Sequence, residues 1–319
     1  MASRPPRVSI GMPVYNDDKF LRPALDSLLA QDYADYELII SDNASTDATE
    51  AIGREYAARD RRIRYHRNAT NIGASDNFNQ VFRFSSGGEY FMWAGGHDVW
   101  APTYLSRCVE VLEGDASIVH CNSVAHYMSY DGKDLGLIRQ IDTRPYSLFV
   151  RANLVRFQAS IFLIYAVFRS RALRQVGLLS HEALGSDLLL GFELSLRGPF
   201  AVVPEPLYFM RDNRGENSRP ISRAQGVALF RERMFPGGMA PDVRIWRMNM
   251  SLMWRVLKRA PISSGQRIAL MGGIIPLYPL LLYPYLPRVV RRGVGRALGA
   301  FADLSLKRPP AKPRVGSKA

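Results

Sequence analysis

Apolar and polar positions follow two alternating periods along the first 130 residues. Short apolar runs typical of buried strands are separated by stretches in which apolar residues recur at helical spacing. Strands are predicted at 8–12, 36–41, 62–67, 89–94 and 117–128, with a helix after each of the first four. In the first of these helices, which Asp17 or Asp18 can cap, the leucines at 21, 25, 28 and 29 share one face. The alternation predicts an α/β fold, a mostly parallel sheet with helices on both faces.

Polar residues follow each of the first four predicted strands. They are 13–16, then Asp42 and Asn43, then 71–73, and finally His97 and Asp98 behind two glycines. Because ligands bind beyond the carboxyl ends of parallel strands, this edge is the expected site. Asp98 could bind a divalent cation that neutralises a diphosphate. The alternative is that Asp98 caps the next helix and His97 is a surface residue.

Composition narrows the class of protein. The chain has 319 residues, 47% hydrophobic and 22% charged, which fits one large domain with appendages or two domains. Cys108 and Cys121 match neither a disulfide framework nor a zinc pattern, so a reducing cytoplasm is expected. The first residues lack the apolar core of a signal peptide, so secretion is not expected.

The net charge of +13 belongs to one end of the chain. From Pro241 onward there are 15 Lys/Arg and 2 Asp/Glu, against 27 of each before it. Such an end suits nucleic acid or an anionic membrane surface. Residues 244–260 form a basic amphipathic pattern with Trp246, Met250, Met253, Trp254 and Leu257 on one face. This pattern predicts a helix that lies in a membrane interface or packs on the rest of the protein.

Residues 268–287 are uncharged and long enough to span a bilayer, but they contain Pro276, Pro279, Pro284 and Pro287. Prolines argue against a regular helix and favour a re-entrant or interfacial hairpin. Arginines flank the stretch, as the cytoplasmic leaflet favours. We therefore expect peripheral association with the inner face of the plasma membrane. No nucleic acid is expected, because this apolar, Tyr- and Pro-rich stretch is unlike a solvated basic arm.

Three stretches carry a family resemblance: residues 8–49, beginning VSIGMPVYN, then NIGASDNFNQ and YFMWAGGHDVWAPTYL. They resemble family 2 glycosyltransferases of the GT-A fold, over residues from about Val8 to about Ser218. The resemblance implies transfer of a sugar from a nucleotide diphosphate sugar with inversion, using Mn²⁺ or Mg²⁺. The expected organisation is a disordered lead (1–7), a GT-A domain (8–220), a helical, hydrophobic and basic extension with possible membrane association (221–300) and a disordered basic tail (301–319).

The resemblance also assigns roles to individual residues. The first loop and the third strand end would bind the nucleotide, and Asp42 would accept a hydrogen bond from the base, typically a uracil. The implied nucleotide-binding set is Pro13, Tyr15, Asn16, Asp42, Arg67, Asn71 and Gly73. Asp98 matches the metal-binding acid. Asp187, which begins a predicted apolar helix, matches the general base that takes the acceptor proton; a helix cap is the alternative, and both roles are compatible.

Three positions depart from the family pattern. His97 stands where an acid usually precedes Asp98, Gly95 stands where many members carry another acid, and Asn213 stands where many have a histidine. His97 could ligate Mn²⁺, hydrogen-bond the diphosphate, or be a neutral neighbour of the ligands. Arg211 and Arg214 are candidates for holding the diphosphate. Trp100 is the candidate for stacking on a sugar, whereas Trp93 is expected in the core.

The sequence therefore predicts a glycosyltransferase that uses a nucleotide sugar, with UDP as the expected nucleotide. The expected acceptor is a glycan or a polyprenyl-linked lipid in surface polysaccharide synthesis. The alternative is a catalytically inactive glycosyltransferase-like module that binds nucleotide or glycan, which the missing acid at position 97 favours. Retention of both Asp98 and Asp187 argues against that alternative.

Overall fold

The structure, a computed structural model, describes residues 4–138, 140–158, 161–179, 186–212 and 243–281. Its strands are β1 Val8–Val14, β2 Tyr36–Asp42, β3 Ile63–Arg67, β4 Tyr90–Trp93, β5 Val99–Trp100, β6 His120–Met128, β7 Asp134–Ile138, β8 Val167–Arg169 and β9 Phe200–Arg211. Its helices are α1 Asp18–Leu29, α2 Thr49–Arg59, α3 Ala74–Arg83, α4 Tyr104–Gly114, α5 Leu148–Gln158, α6 Ser170–Leu173, α7 Ser186–Ser195, α8 Val243–Arg259 and α9 Ser264–Leu281. A 3₁₀ turn spans Ile161–Ile164.

One mixed sheet forms the centre of the molecule, in the order β3-β2-β1-β4-β8-β6-β9-β5, with β7 on β6. The first half is parallel, as predicted: β1 pairs with β2 and β4, and β2 pairs with β3. The second half is not. Strand β8 runs antiparallel to β4 and β6, and β5 runs antiparallel to β9, while β6 and β9 are parallel. The prediction of a mostly parallel sheet is wrong for this half, because periodicity shows which residues form strands but not which strands pair.

Helices cover both faces of the sheet, which confirms that part of the prediction. On one face, α1, α2 and α4 share with the sheet a buried cluster that includes Leu21, Leu25, Leu28, Ile52, Leu105, Ile10, Met12, Leu38 and Ile40. On the other face, α3 and α7 pack against β4 and β8 through Val81, Leu190, Leu194, Phe91, Trp93 and Phe168. Burial of these apolar side chains is the main contribution to stability.

Residues 4–7 do not form the disordered lead that the sequence predicted. Arg4 forms an ion pair with Asp35, and Arg7 bridges Glu89 and Glu113. The Arg7 backbone N–H also donates to the Asp35 carboxylate at 3.2 Å. These contacts hold the start of β1 against the amino-terminal edge of the sheet.

The described end of α8 packs on the protein, as one of the two interpretations of this helix predicted. Met253, Val256 and Leu257 are buried in a cluster with Phe192 and Leu196 of the α7 region. Trp254 was predicted on the same apolar face, but it is 40% exposed. The side chains of Trp246 and Met250 lie outside the described residues.

Helix α9 passes through Pro276 and Pro279, so the predicted hairpin is wrong within residues 264–281. A proline removes one helical hydrogen bond and kinks the axis without necessarily ending the helix. Pro284, Pro287 and the predicted basic tail lie outside the described residues. Among the helices that the structure describes, none is both long and apolar enough to cross a bilayer.

Candidate active site

The first loop is bound to the loop after β2. Asn16 has a left-handed backbone, with φ of +53°, which asparagine tolerates better than most residues. Its side-chain oxygen accepts from the Thr46 N–H at 2.8 Å, and its own N–H donates to the Ser45 hydroxyl at 3.0 Å. Pro13 is buried within β1 beside Ser41 of β2. Tyr15 is 47% exposed, so the loop presents an aromatic ring at the edge of the sheet.

Asp42 is fully buried at the end of β2. Its Oδ2 accepts from the Tyr65 hydroxyl at 2.6 Å and from Nη1 of Arg67 at 3.1 Å, while its Oδ1 accepts from the Ser45 N–H at 2.8 Å. Arg67 also contacts Glu50 at 3.0 Å and is about a third exposed. The Asp42 carboxylate therefore holds the loop and Arg67 in place. Of these two charged residues, Arg67 is the one that is exposed to solvent.

A network of side-chain amides supports the third strand end. Oδ1 of Asn71 accepts from Nδ2 of Asn43 at 2.8 Å and from the Gly73 N–H at 2.9 Å. Gly73 has φ of +86° where α3 begins, a backbone that favours glycine. Sequence reasoning missed the buried part of the network, formed by Ser41, Asn68, Asn77 and Gln80. The signal that could have revealed it is the asparagine-rich run from 68 to 79.

Asp98 lies at the predicted edge, but its carboxylate is turned into the protein. It is fully buried, and its Oδ2 accepts from the Tyr208 hydroxyl at 2.6 Å while its Oδ1 accepts from the Arg211 N–H at 2.9 Å. Burial raises the pKa of Asp98, and the His97 charge and these two hydrogen bonds oppose the rise without cancelling it. A Cβ atom at Gly95 would lie 2.7 Å from Oδ2. A side chain at position 95 is therefore incompatible with this carboxylate position.

His97 lies between two carboxylates. Its Nδ1 is 3.6 Å from Oδ1 of Asp17, and its Nε2 is 3.9 Å from Oδ1 of Asp98. Burial lowers the pKa of His97, but the hydrogen bond to Asp17 and the charges of both acids outweigh it and raise the pKa overall. Asp17 was predicted only as a helix cap. It is the N-cap of α1 by position, but its side chain makes no capping bond and instead accepts from the Tyr15 N–H at 3.2 Å.

Arg211 encloses the same corner. Its Nε donates to the His97 carbonyl at 3.1 Å, its Nη1 donates to the Tyr130 carbonyl at 3.0 Å, and its guanidinium lies 4.7 Å from the centre of the Phe20 ring. The structure therefore brings together Arg211, His97, Asp98 and the unpredicted Asp17. Arg214 and Asn213 lie outside the described residues.

As far as the structure describes it, the corner lacks the exposed oxygen ligands of a divalent-metal site. Both oxygens of Asp98 already accept hydrogen bonds, and the carboxylate has no exposed surface. Within the described part of the chain, no group of three His, Cys, Asp or Glu side chains has a geometry that could hold a metal ion. Hard divalent cations need several free oxygen ligands. The described residues, including His97 and Asp98, therefore do not fit a resident Mn²⁺ or Mg²⁺ in this arrangement.

Asp187 is the second residue of α7 and borders an apolar pocket lined by Leu163, Ile164 and His120. Burial raises the pKa of Asp187, and backbone N–H groups at the helix start partly oppose this. Tyr165 connects this acid to the strand-end corner. Burial raises the pKa of Tyr165, and the charges of Asp98, Asp17 and Asp187 raise it further. Tyr165 follows Ile164 of this pocket, and its ring centre lies 6.1 Å from that of Tyr208, whose hydroxyl binds Asp98. Sequence reasoning did not single out this tyrosine.

Trp100 does not line an open surface, so its prediction as a sugar-stacking residue is wrong. It is 2% exposed and stacks on Tyr208, with the ring centres 5.6 Å apart. It follows β4 closely in sequence, but it belongs to β5, which pairs with β9 inside the core. Trp93 is fully buried, as predicted.

The sequence profile of Glycosyl transferase family 2 matches residues 9–175, just over half of the chain. The chain belongs to this family. The resemblance inferred from the motifs is thereby confirmed. EpsE of Bacillus subtilis is 36% identical over 109 residues, which cover 34% of this chain and 39% of EpsE. An uncharacterized glycosyltransferase of Rickettsia typhi is 32% identical over 119 residues, 36% of each chain. These matches span less than two-fifths of either relative.

Solved structures support the GT-A type of fold for this family 2 member. S. aureus TarS 1–349 in complex with UDP has a TM-score of 0.60 at 16% identity, covering 85% of this chain and 71% of that one. The mannosyltransferase PcManGT from Pyrobaculum calidifontis, in complex with GDP-Man and Mn²⁺, has a TM-score of 0.52 at 19% identity, covering 96% and 82%. At these identities the likeness concerns the fold alone.

Proposed function

We propose that this family 2 member transfers a sugar from a nucleoside diphosphate sugar to a glycan or lipid-linked acceptor, with inversion at the anomeric carbon. The observation that carries the proposal is the corner beyond the end of β4, where Asp98, His97 and Arg211 contact one another. Structural neighbours with this type of sheet were solved with UDP, UDP-GlcNAc or GDP-Man. We propose UDP as the nucleotide of the donor.

The nucleotide would bind at the ends of β1, β2 and β3. The exposed ring of Tyr15 offers a stacking surface, and Pro13 and Asn16 shape the backbone beside it. Arg67, held by Asp42 and Glu50, places a cation at the same edge. The Asn71–Gly73 turn completes this side and presents the start of α3, where backbone N–H groups favour a phosphate.

The diphosphate would lie towards Arg211 and His97. The Arg211 guanidinium is fixed by the carbonyls of His97 and Tyr130, so it supplies a cation at little conformational cost. The family, together with the neighbour solved with Mn²⁺, suggests use of a divalent metal. Because the Asp98 carboxylate is fully buried and both of its oxygens are hydrogen-bonded, no step of the proposed reaction depends on a metal ion.

Asp187 would act as the general base. An acceptor hydroxyl gives its proton to the Asp187 carboxylate while its oxygen forms a bond to the anomeric carbon of the donor sugar. The bond from that carbon to the diphosphate oxygen breaks on the opposite face, so the configuration inverts and the nucleotide leaves as the diphosphate. The raised pKa of Asp187 suits this role, because a more basic carboxylate accepts the proton more readily.

The acceptor and the cellular location rest on the C-terminal helices. Trp254 on α8 and Ile268 on α9 are exposed apolar side chains, and Lys258 lies 5.3 Å from the centre of the Trp254 ring. Apolar residues flanked by cations are typical of surfaces that lie on anionic membranes. We propose peripheral association with the inner face of the plasma membrane and a role in surface polysaccharide synthesis. Retention at the membrane of a variant lacking 241–319 would contradict that anchor.

A second candidate is an inactive module that binds nucleotide without transferring sugar. The buried Asp98 carboxylate favours it, because this acid is the one that the family pattern places at the metal. Nucleotide binding is common to both candidates, so only turnover separates them.

The deciding experiment combines binding with turnover. Titration calorimetry with UDP and GDP, in Mn²⁺, Mg²⁺ or EDTA, is expected to show UDP binding in wild-type protein. Asp98→Asn tests whether any metal dependence passes through this carboxylate, since the amide preserves its size. Release of UDP from UDP-sugars in wild type, reduced by a factor of about 10² to 10⁴ in Asp187→Asn, supports the transferase. Binding without release in wild type supports the inactive module, and no binding of either nucleotide would overturn both.

A further inference from the structure

A pocket of about 430 Å³ lies at the sheet edge opposite the candidate active site. Val119 lies just before β6 and Pro199 just before β9, and both residues line it. These strands run in the same direction as β4, so their amino ends lie at the edge away from the carboxyl ends of β1, β2 and β4. Three arginines complete the lining: Arg151 of α5, Arg171 of α6, and Arg197, which follows α7. We call it the arginine pocket.

Main-chain carbonyls hold each guanidinium in place. Nε of Arg151 donates to the Ser195 carbonyl at 2.6 Å, and an Nη of Arg171 donates to the Ala116 carbonyl at 2.7 Å. Arg197 donates to the carbonyls of Glu193 and Gln175. Each guanidinium has five N–H donors, and among the residues that the structure describes Arg151 and Arg171 each use one of them. The positions of these donors are thus fixed before any ligand arrives.

The positive charge in the arginine pocket is poorly compensated. Within the described residues, Arg151 and Arg171 form no ion pair with a carboxylate. Arg197 lies 3.5 Å from Oε1 of Glu193, but Arg259 binds both oxygens of that carboxylate at 2.9 and 3.0 Å. The Arg197 side chain is only 6% exposed, and its buried Nε has no hydrogen-bond partner among the residues that the structure describes.

Burial of Arg151 and Arg197 without a matching anion is unfavourable. Burial lowers the pKa of Arg151 and is the largest effect that lowers the pKa of Arg197. A buried charge is normally paired, because removing it from water costs free energy that only an opposite charge or hydrogen bonds restore. Asp115, which precedes the lining residue Ala116, accepts a hydrogen bond from the Ser117 N–H at 2.8 Å. An anion with several acceptor oxygens would satisfy these donors.

We propose that the arginine pocket is a second binding site, separate from the nucleotide edge, for a ligand that carries a phosphate monoester or diphosphate group. Several arginine forks match the tetrahedral array of phosphate oxygens, which accept charge-assisted hydrogen bonds from more than one direction. The pocket is larger than a single phosphate group needs and falls in the size range of small-molecule sites. The phosphate could belong to a free metabolite or to a lipid headgroup. The proposal does not depend on the proposed sugar transfer.

Titration of the full chain with pyrophosphate tests the site directly. We expect saturable binding whose Kd rises at least about tenfold in Arg171→Gln, because one charge-assisted donor is removed. Arg171 is exposed and bonds one carbonyl, so this change should leave the fold intact. Arg174→Gln is the matched control, since Arg174 is exposed, lies one turn further along the chain and does not line the pocket. Loss of binding in both variants to the same extent would overturn the proposal, because it would reflect net charge alone.

Two further experiments determine which site binds pyrophosphate and whether the natural ligand is a free molecule or a lipid headgroup. Arg67→Gln changes only the nucleotide edge, so the binding sensitive to Arg171→Gln should survive it; its disappearance would overturn the proposal. Sedimentation with phosphatidylcholine vesicles, with and without phosphatidic acid, then tests a lipid source. Pyrophosphate binding sensitive to Arg171→Gln supports a free ligand. Binding only to the phosphatidic acid vesicles, with the same sensitivity, supports a headgroup. The absence of both pyrophosphate binding and vesicle binding would overturn the proposed site.

Discussion

The Tyr208 hydroxyl donates to Oδ2 of Asp98 at 2.6 Å, and this bond joins the end of β9 to the turn after β4. The Arg211 backbone N–H binds the other oxygen of the same carboxylate. Both bonds are made in a fully buried position, where a hydrogen bond to a charged group is stronger than at the surface. Asp98 thus acts as a structural link between two strand ends and does not face outward as a free ligand.

Removal of the hydroxyl in Tyr208→Phe should lower the free energy of unfolding by about 1.5–3 kcal/mol, the usual contribution of a hydrogen bond to a charged partner. The ring would remain in its place against Trp100, so the loss comes from the buried carboxylate that lacks one donor. Urea unfolding at 25 °C and neutral pH measures the change.

Tyr146→Phe is the control for the Tyr208 prediction. Tyr146 is half-buried, and the described residues give its hydroxyl no hydrogen bond, so its removal should change the unfolding free energy by less than about 0.5 kcal/mol. Equal small losses in the two variants would show that the bond to Asp98 contributes nothing measurable.

Gly95→Ala should destabilise the protein, because the new Cβ would lie 2.7 Å from Oδ2 of Asp98. The buried carboxylate would have to move from Tyr208, at a cost of about 1–3 kcal/mol, which is typical of overpacking. Gly114→Ala, at the end of α4, is the control, since nothing lies within 4 Å of its Cβ position. Thermal unfolding of both variants should separate them. An unchanged melting temperature in Gly95→Ala would mean that Asp98 moves freely.

The sequence predicted the positions of β1–β4 because apolar residues recur at different spacings in strands and in helices. It also predicted their shared edge, because the carboxyl ends of parallel strands lie together. It located the edge that holds Tyr15, Asp42 and His97. It could not show that Trp100 is buried, since that depends on β5 pairing with the distant β9. Nor could it find Asp17 beside His97, because the capping pattern explained the same aspartate equally well.

The arginine pocket shows a second limit of sequence reasoning. Its three arginines come from different elements between residues 151 and 197, and no spacing links them. The direction of β6 and β9 places this cavity at the edge opposite the motifs that carry the family resemblance.

Asp187→Asn should reduce kcat by a factor of about 10² to 10⁴, the usual contribution of a general base, and leave nucleotide affinity unchanged. The base acts when deprotonated. Because burial raises the pKa of Asp187, wild-type activity should be lost as the pH falls through a pKa above that of an ordinary aspartate. Initial rates of UDP release between pH 4 and 8 measure this acid limb of the pH profile. The residual activity of Asp187→Asn should not show the acid limb.

Glu110→Gln provides the control for Asp187. Glu110 is an exposed acid on α4 whose partner is Arg107, so its loss should change neither kcat nor the pH profile. An Asp187→Asn variant with wild-type kcat would remove this residue as the base. A retained acid limb in a slow Asp187→Asn variant would assign that limb to another group.

Leu257 and Trp254 distinguish the packed face of α8 from its exposed face. Leu257 is fully buried against the α7 region, so Leu257→Ala should lower the unfolding free energy by about 2–5 kcal/mol. Trp254→Ala should change it by less than about 0.5 kcal/mol, because the ring is 40% exposed. Binding to anionic vesicles should respond in the opposite way. Trp254→Ala should bind the vesicles more weakly than wild type, and Leu257→Ala should bind them as well as wild type at temperatures where both variants are folded.

Urea unfolding measures the change in stability of the two variants, and sedimentation measures their vesicle binding. Equal stabilities would place α8 away from the domain in solution, and equal vesicle binding would remove Trp254 from the proposed membrane surface.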